Sequence, residues 1–166
     1  MAGKYDRYVL QPPHTTMTTK GDGTVIFNGI FAKGLEQWGE PMNMGLQIIS
    51  RPFRSDNPTH LHNFQEYLAW YGTNPDDPTD FDAEIVIYLG EELEEHIITQ
   101  PTVLSLPPGL VHCPLEIKRV GSPIIQLEIM LPPCDGTTPT REPYFDEDKE
   151  FTTEGAVEIV RTPIVK

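Results

Sequence analysis

The sequence predicts an all-β domain rolled into a barrel, and three observations lead there. Short runs rich in β-branched and aromatic residues recur along the 166 residues, with 17 prolines and 13 glycines set between them. No stretch sustains the 3.6-residue apolar period of an amphipathic helix. His60, His62 and Glu66 form a His-x-His-x3-Glu cluster, and a Pro107-Pro108-Gly109 turn ends three residues before His112. In a strand, residues i and i+2 project to one face, so His60 and His62 aim the same way. Glu66 keeps even parity with them and is expected to return to that face across a short bend at Asn63-Phe64. His112 lies far along the chain, and only a closed or strongly curved sheet brings it alongside. The Pro-Pro-Gly fits the tight turn before it, since proline presets φ and glycine accepts φ > 0.

Taken in order, strands are expected at 24–27, 45–49, 66–71, 83–89, 96–99, 102–106, 111–118 and 123–131. Residues 83–89 and 96–99 pair as a hairpin across 90–95, whose acids sit at an exposed tip. Two stretches stand outside the strand pattern. Residues 73–82 form a polar, proline-broken insertion; its four aspartates lack the alternation and trailing glutamate of a calcium loop, so it reads as a solvated loop. Residues 135–153 are acidic and contain proline, and lead into 156–160, a run that adds an edge strand or reaches a second subunit. With no internal repeat, residues 1–166 read as one domain: a barrel core at about 43–131, N-terminal strands within 1–42, and a tail at 132–166.

Composition narrows the function classes. A hydrophobic content of 38% is ordinary for a water-facing domain, and no apolar run approaches a membrane span. The opening residues lead into no long apolar stretch, so no secretory signal is expected. Cys113 and Cys134 make no disulfide framework and suit a reducing interior, so the expected location is cytoplasmic. A net charge of −13 argues against nucleic acid or an anionic membrane as partner and leaves a small molecule.

Three imidazoles and one carboxylate suit one divalent transition metal (Fe, Mn, Ni, Zn or Co) and leave positions open for water or substrate. A lone His-x-His in a strand is usually incidental; Glu66 and the Pro-x-Gly-x2-His change its weight. The bland alternative is a barrel whose four groups only hydrogen-bond one another. It leaves clustered histidines facing a carboxylate without a cation.

At these residues the chain resembles the cupin superfamily, small β-barrels marked by Gly-x5-His-x-His-x3,4-Glu-x6-Gly and, later, Gly-x5-Pro-x-Gly-x2-His-x3-Asn. Residues His60-Leu61-His62-Asn63-Phe64-Gln65-Glu66 meet the first motif, with Gly72 one residue early; Pro107-Pro108-Gly109-Leu110-Val111-His112 meet the second. Arg54, Pro101 and Glu116 replace the first glycine, the second motif's glycine and its asparagine, and none of these is a metal ligand. The resemblance covers roughly 43–131. It implies a cupin-type double-stranded β-helix (jelly-roll) barrel, a metal held by His60, His62, Glu66 and His112, and a homodimer built by sheet extension.

Cupins with this ligand set include dioxygenases, sugar-phosphate isomerases, decarboxylases and lyases. The resemblance therefore implies a metal-dependent enzyme acting on a small oxygen-rich metabolite that chelates the ion, with lyase, isomerase or dioxygenase chemistry left open. The alternative is a non-catalytic metal- or small-ligand-binding module. Glu128 is the candidate proton-moving acid, and Gln126, Tyr67 and Gln47 sit on expected strands from which they can face inward. Leu68 and Trp70 share the interior face with Glu66 by parity, Trp70 as core filling. Cys113 should alternate away from the metal as a buried thiol, and His14 and His96 read as surface residues. A sugar-phosphate isomerase needs an inward cation, for which Arg51, Arg54 and Lys118 are the candidates.

Overall fold

Alternation of buried and exposed side chains builds two antiparallel sheets that face each other. The computed structural model describes residues 3–19, 22–37, 39–55, 57–77 and 79–144 and the backbone of Val157–Thr162. Its strands are β1 (His14–Thr19), β2 (Val25–Lys33), β3 (Asn43–Ile49), β4 (Phe53–Arg54), β5 (His60–His62), β6 (Glu66–Gly72), β7 (Ala83–Leu89), β8 (Glu94–Ile98), β9 (Thr102–Leu106), β10 (His112–Val120), β11 (Ile124–Met130), β12 (Arg141–Pro143) and β13 (Val157–Thr162). A single helical turn, Gly34–Gln37, and a 3-10 turn, Asp6–Tyr8, are the helical elements among the described residues. No helix among those residues is long and apolar enough to cross a membrane.

The strand order defines the fold. One sheet runs β13-β1-β2-β3-β11-β6-β9 and the other β12-β5-β10-β7-β8, with β4 also paired to β10. Counting β3 as first and β5 as second, with β6 to β11 following, the sheets read first-eighth-third-sixth and second-seventh-fourth-fifth. That interleaving is the jelly-roll order, so the fold is a cupin-type double-stranded β-helix barrel. β1, β2 and β13 extend the first sheet and β12 the second.

Every expected strand is present, 83–89 and 102–106 with the expected ends and the others with shifted ones. β2 continues to Lys33, where the expected strand stopped at 27. β1 lacked an aliphatic run, yet its threonines are β-branched and its alternation buries Thr15 and Met17. β8 begins at Glu94 because it is an edge strand whose acids face water. The hairpin before it turns at Gly90 and Leu93, both with positive φ (78° and 53°). β13 pairs with β1 of its own chain, from His14↔Thr162 to Thr19↔Val157, so that run is an edge strand. Residues 145–156 lie outside the described residues.

The insertion at 73–82 packs at the end of β6 opposite Glu66. Thr73 Oγ1 donates to the Pro123 carbonyl (2.8 Å) and the Gly121 N–H to the Asp82 carbonyl (2.7 Å). Gly72 makes room for this loop, since a Cβ there would sit 1.8 Å from the Asp80 carbonyl oxygen. A strand of this length separates the loop from Glu66 by roughly 20 Å, too far for the loop to cover the Glu66 end.

The core lies between the sheets, where Trp70, Ile49, Ile85, Ile87, Leu106, Ile117 and Ile124 are wholly buried. A polar chain crosses its floor between register partners. Trp70 Nε1 donates to Gln126 Oε1 (2.7 Å), and Gln126 Nε2 donates to Gln47 Oε1 (2.9 Å). This ladder ties β6, β11 and β3 together directly beneath the motif residues. Trp70→Phe keeps most of the ring but leaves a buried amide oxygen unpaired. It should lower the unfolding free energy by about 1–3 kcal/mol in urea titrations; an unchanged midpoint would show that the ladder contributes nothing.

Candidate metal centre

His60, His62 and His112 come from one sheet and Glu66 from the other. His60 and His62 occupy the inner face of β5, and His112 is the register partner of His60 at the start of β10. Between His62 and Glu66 the chain leaves one sheet for the other, so Glu66 does not rejoin the face of the histidines. It meets them from across the barrel. All four side chains are buried, His62 and His112 to 1% exposure.

The contacts specify protonation. His60 Nδ1–H donates to the Pro58 carbonyl (2.8 Å) and His112 Nδ1–H to the Leu110 carbonyl (2.9 Å), each two residues back along the chain. Both rings thereby present a bare Nε2. His62 Nε2 lies 2.9 Å from Glu66 Oε2, its Nδ1 has no partner, and its ring is stacked on Phe64 at 4.0 Å between centroids. His112 Nε2 lies 3.6 Å from the same Glu66 oxygen. A lone pair aimed at a carboxylate oxygen repels it, so a positive charge, proton or metal ion, belongs between them. Ligand atoms of His62, Glu66 and His112 all fall within 4.8 Å of one another, and His60 and His112 form a second such group with Cys113. The His60 and His112 rings lie tilted against each other with centroids 4.2 Å apart, which joins the two groups.

Electrostatics divides the two carboxylates of the cavity, buried Glu66 and half-buried Glu128. Burial pushes Glu66 upward, but with a proton between it and the His112 and His62 rings, hydrogen bonding outweighs burial and holds the group at about 2. Glu128, on β11, goes the other way: burial first, then the charge of Glu66 and a hydrogen bond with it, raise Glu128 to about 8. One carboxylate is charged and its neighbour keeps a proton, as two acids in one low-dielectric site require. Gly45 stands opposite Glu128 on β3, and a Cβ there would come within 3.3 Å of Glu128 Oε2. Burial, with the nearby His112 and Arg141 charges, lowers His60 to about 4, so its ring is neutral near pH 7.

These groups line a cavity of about 350 Å³, at the lower end of the roughly 300–1,000 Å³ typical of ligand sites. Glu128, Gln126 and Gln47 face it, as do Leu68, Leu115 and Met17. Tyr67 does not. It follows Glu66 directly on β6, so alternation sends it to the outer face, where it is 36% exposed. Trp70 is core, as parity indicated. Cys113 departs from simple alternation: at φ 74° and a register shift between His112 and Leu115, its side chain joins the cavity wall. Burial, followed by the Glu66 charge, raises its thiol to about 12. Arg51, Arg54 and Lys118 are not part of the wall, and Lys118 pairs with Glu116 at 3.5 Å. The cation that does line the cavity is Arg141, in a segment that reads from sequence as an acidic tail.

No family model matches the chain, and no curated protein matches it in sequence. Among solved structures, a polyketide cyclase from Streptomyces resistomycificus is 12% identical, with 89% of each chain covered and a TM-score of 0.45. A cupin-like protein from Thermotoga maritima is 11% identical over 75% of this chain and 77% of its own, at 0.46. A cupin-superfamily sugar phosphate isomerase from Silicibacter pomeroyi is 10% identical over 84% and 81%, at 0.43. The chain spans about half the length of two larger matches, 51% of a DMSP lyase and 55% of an oxalate oxidase. All these overlaps lie below a TM-score of 0.5.

The Glu128 proton sets a sign for stability in chelator-treated protein. Its folded value, about 8, lies above the ordinary 4.5. Its contribution is therefore full below pH 4.5 and lost as pH rises through 8. Relative to Glu128→Gln, the wild type should lose stability steadily between about pH 5 and 8, by several kcal/mol at most, and level off above. Urea unfolding of both proteins across that range checks it; parallel curves would mean that Glu128 ionises normally.

Proposed function

We propose that this cupin-type barrel holds one divalent transition metal through His60, His62, Glu66 and His112 and is an enzyme acting on a small oxygen-rich metabolite that chelates the ion. The observation that carries this is the bare His112 Nε2 facing the charged Glu66 oxygen in a buried cavity. Ligands about 2.1 Å from a common ion stand roughly 3 Å apart at right angles. The 2.9 and 3.6 Å spacings of His62 and His112 to Glu66 suit such an arrangement. The carbonyls of Pro58 and Leu110 fix the tautomers that such binding needs, a role commonly filled around metal-bound imidazoles. Nitrogen and oxygen donors of this kind accept Fe, Mn, Ni, Zn or Co. When bound, the ion polarises a chelated oxygen as a Lewis acid.

The chain's own residues supply the rest. Glu128 keeps a proton on the cavity wall beside Glu66, placed to pass it to a bound molecule. Gln126 is held at both ends by Trp70 and Gln47, so it shapes the floor without moving. Leu68, Leu115 and Met17 add apolar surface to the wall from both sheets. A proton donor beside a chelated oxygen suits lyase or isomerase chemistry, and with iron a dioxygenase. A passive binder needs no protonated acid in its wall, and Glu128 is why the catalytic reading is preferred.

A homodimer accompanies this reading. The outer face of the first sheet carries three apolar rows: Ile30, Leu46, Leu127, Ala69 and Val103; Ile48, Ile125 and Tyr71; Met44, Ile129 and Tyr67. Most of these side chains are at least partly exposed, and a second copy offers the same face by two-fold symmetry. Ile48→Glu should halve the sedimenting mass at micromolar concentration. A wild type that already sediments as a monomer would remove the dimer.

Elemental analysis of protein purified without added metal tests the centre. About one ion per chain is expected, and His112→Ala should lower occupancy more than tenfold with an unchanged circular dichroism spectrum. Metal-free wild type that also refuses added Fe, Mn, Ni, Zn and Co would overturn the proposal.

A further inference from the structure

We propose that Arg141 is the carboxylate-recognising residue of the cavity, so that the metabolite bound there is a small carboxylic acid whose neighbouring hydroxyl or carbonyl oxygen completes the chelate. This rests on the metal-binding reading above and names its substrate class.

Register puts the side chain there. β12 pairs with β5 so that Arg141 stands opposite His62, and paired residues of antiparallel strands share a face. Since His62 faces the interior, Arg141 does too, and it lines the cavity. The strand is docked by the motif itself. Asn63, the residue after His62, accepts a hydrogen bond from the Thr140 N–H through Oδ1 (2.7 Å), and its Nδ2 donates to the Thr138 carbonyl (3.0 Å). Beyond Arg141, the Tyr144 N–H donates to the Thr59 carbonyl (2.9 Å). Both ends of a three-residue strand are thus fastened beside the histidines.

Arg141 is exposed to solvent as well as to the cavity, and its guanidinium has no protein acceptor that satisfies it among the described residues. Arg141 Nη2 lies 3.2 Å from His60 Nδ1, but that nitrogen spends its hydrogen on the Pro58 carbonyl and has no lone pair to offer. Among the described residues no carboxylate pairs with Arg141 within 4 Å, although the chain has 25 acids. A planar fork of donors facing a cavity with no internal partner matches a carboxylate better than any neutral group.

The charge sum agrees. With a divalent ion, Glu66 ionised, neutral imidazoles and Arg141, the site carries about +2 if Glu128 holds its proton and +1 if it does not. Either sum favours a small anion. The cavity of about 350 Å³ admits an acid of a few carbons. One carboxylate oxygen and the adjacent oxygen would face the ion, and the second carboxylate oxygen would face Arg141.

Cobalt-loaded full-length protein, read by visible absorption, tests this with lactate, pyruvate and malonate as probes and 1,2-propanediol as the uncharged counterpart of lactate. At least one acid should shift the spectrum saturably, while 1,2-propanediol binds at least tenfold more weakly. Arg141→Gln should weaken the acid about tenfold or more, Arg141→Lys should recover part of that loss, and cobalt content should stay at the wild-type level in both. Undiminished acid binding in cobalt-replete Arg141→Gln overturns the assignment, as does no response to any of the three acids or equal binding of the diol. Wild-type protein that takes up no cobalt overturns both this inference and the metal centre beneath it.

Discussion

The contact between Glu66 and the imidazoles of the opposite sheet is the constraint on which the rest depends. Glu66 opens β6, while His62 and His112 belong to β5 and β10, so the contact spans the barrel interior. A buried carboxylate is costly unless neighbours compensate it, and here compensation comes chiefly from the His62 and His112 rings. That dependence propagates outward. It makes Glu128 hold a proton, since two charged acids cannot share so small a site. It also makes the backbone carbonyls at Pro58 and Leu110 matter, because they decide which histidine nitrogen faces the acid.

The jelly-roll order is what allows such a contact to be built from one short motif. Apart from the β7–β8 hairpin, successive barrel strands alternate between sheets, so three residues after His62 suffice to carry the chain across. His112 then returns beside His60 because the seventh strand pairs with the second. The Trp70–Gln126–Gln47 ladder ties β6, β11 and β3 of the facing sheet together, and Gly45 leaves the space into which Glu128 folds. Function and fold therefore share residues: the floor of the cavity is also the brace of the first sheet.

Much of this was legible in the sequence. The His-x-His-x3-Glu spacing, the Pro-Pro-Gly turn and the β-branched runs suffice for the barrel and for the four clustered side chains. The parity of Leu68 and Trp70 with Glu66 held because β6 is a regular strand. The same rule, applied to Tyr67, would have placed it outside. Cys113 escaped alternation because its positive φ and the register shift beside it break the two-residue period, and no local pattern announces either. Glu66 crossing to the other sheet was hidden for a related reason: parity describes one strand and says nothing of a change of sheet. Arg141 was invisible because a three-residue strand has no periodicity, and its inward direction comes from pairing with residues nearly eighty positions away.

The acidity of the chain and the chemistry of its cavity are consistent only if they act over different distances. A net charge of −13 sets a negative field outside the molecule. In physiological salt that field fades over about 8 Å, whereas a molecule in the cavity stands at contact distance from its lining groups, the solvent-exposed Arg141 among them. A small anion that enters meets Arg141, the imidazoles and any ion they hold, at contact distance. Under the proposed carboxylate recognition, size and charge together select the ligand: compact enough for about 350 Å³, and negative enough to prefer the interior over the water it leaves.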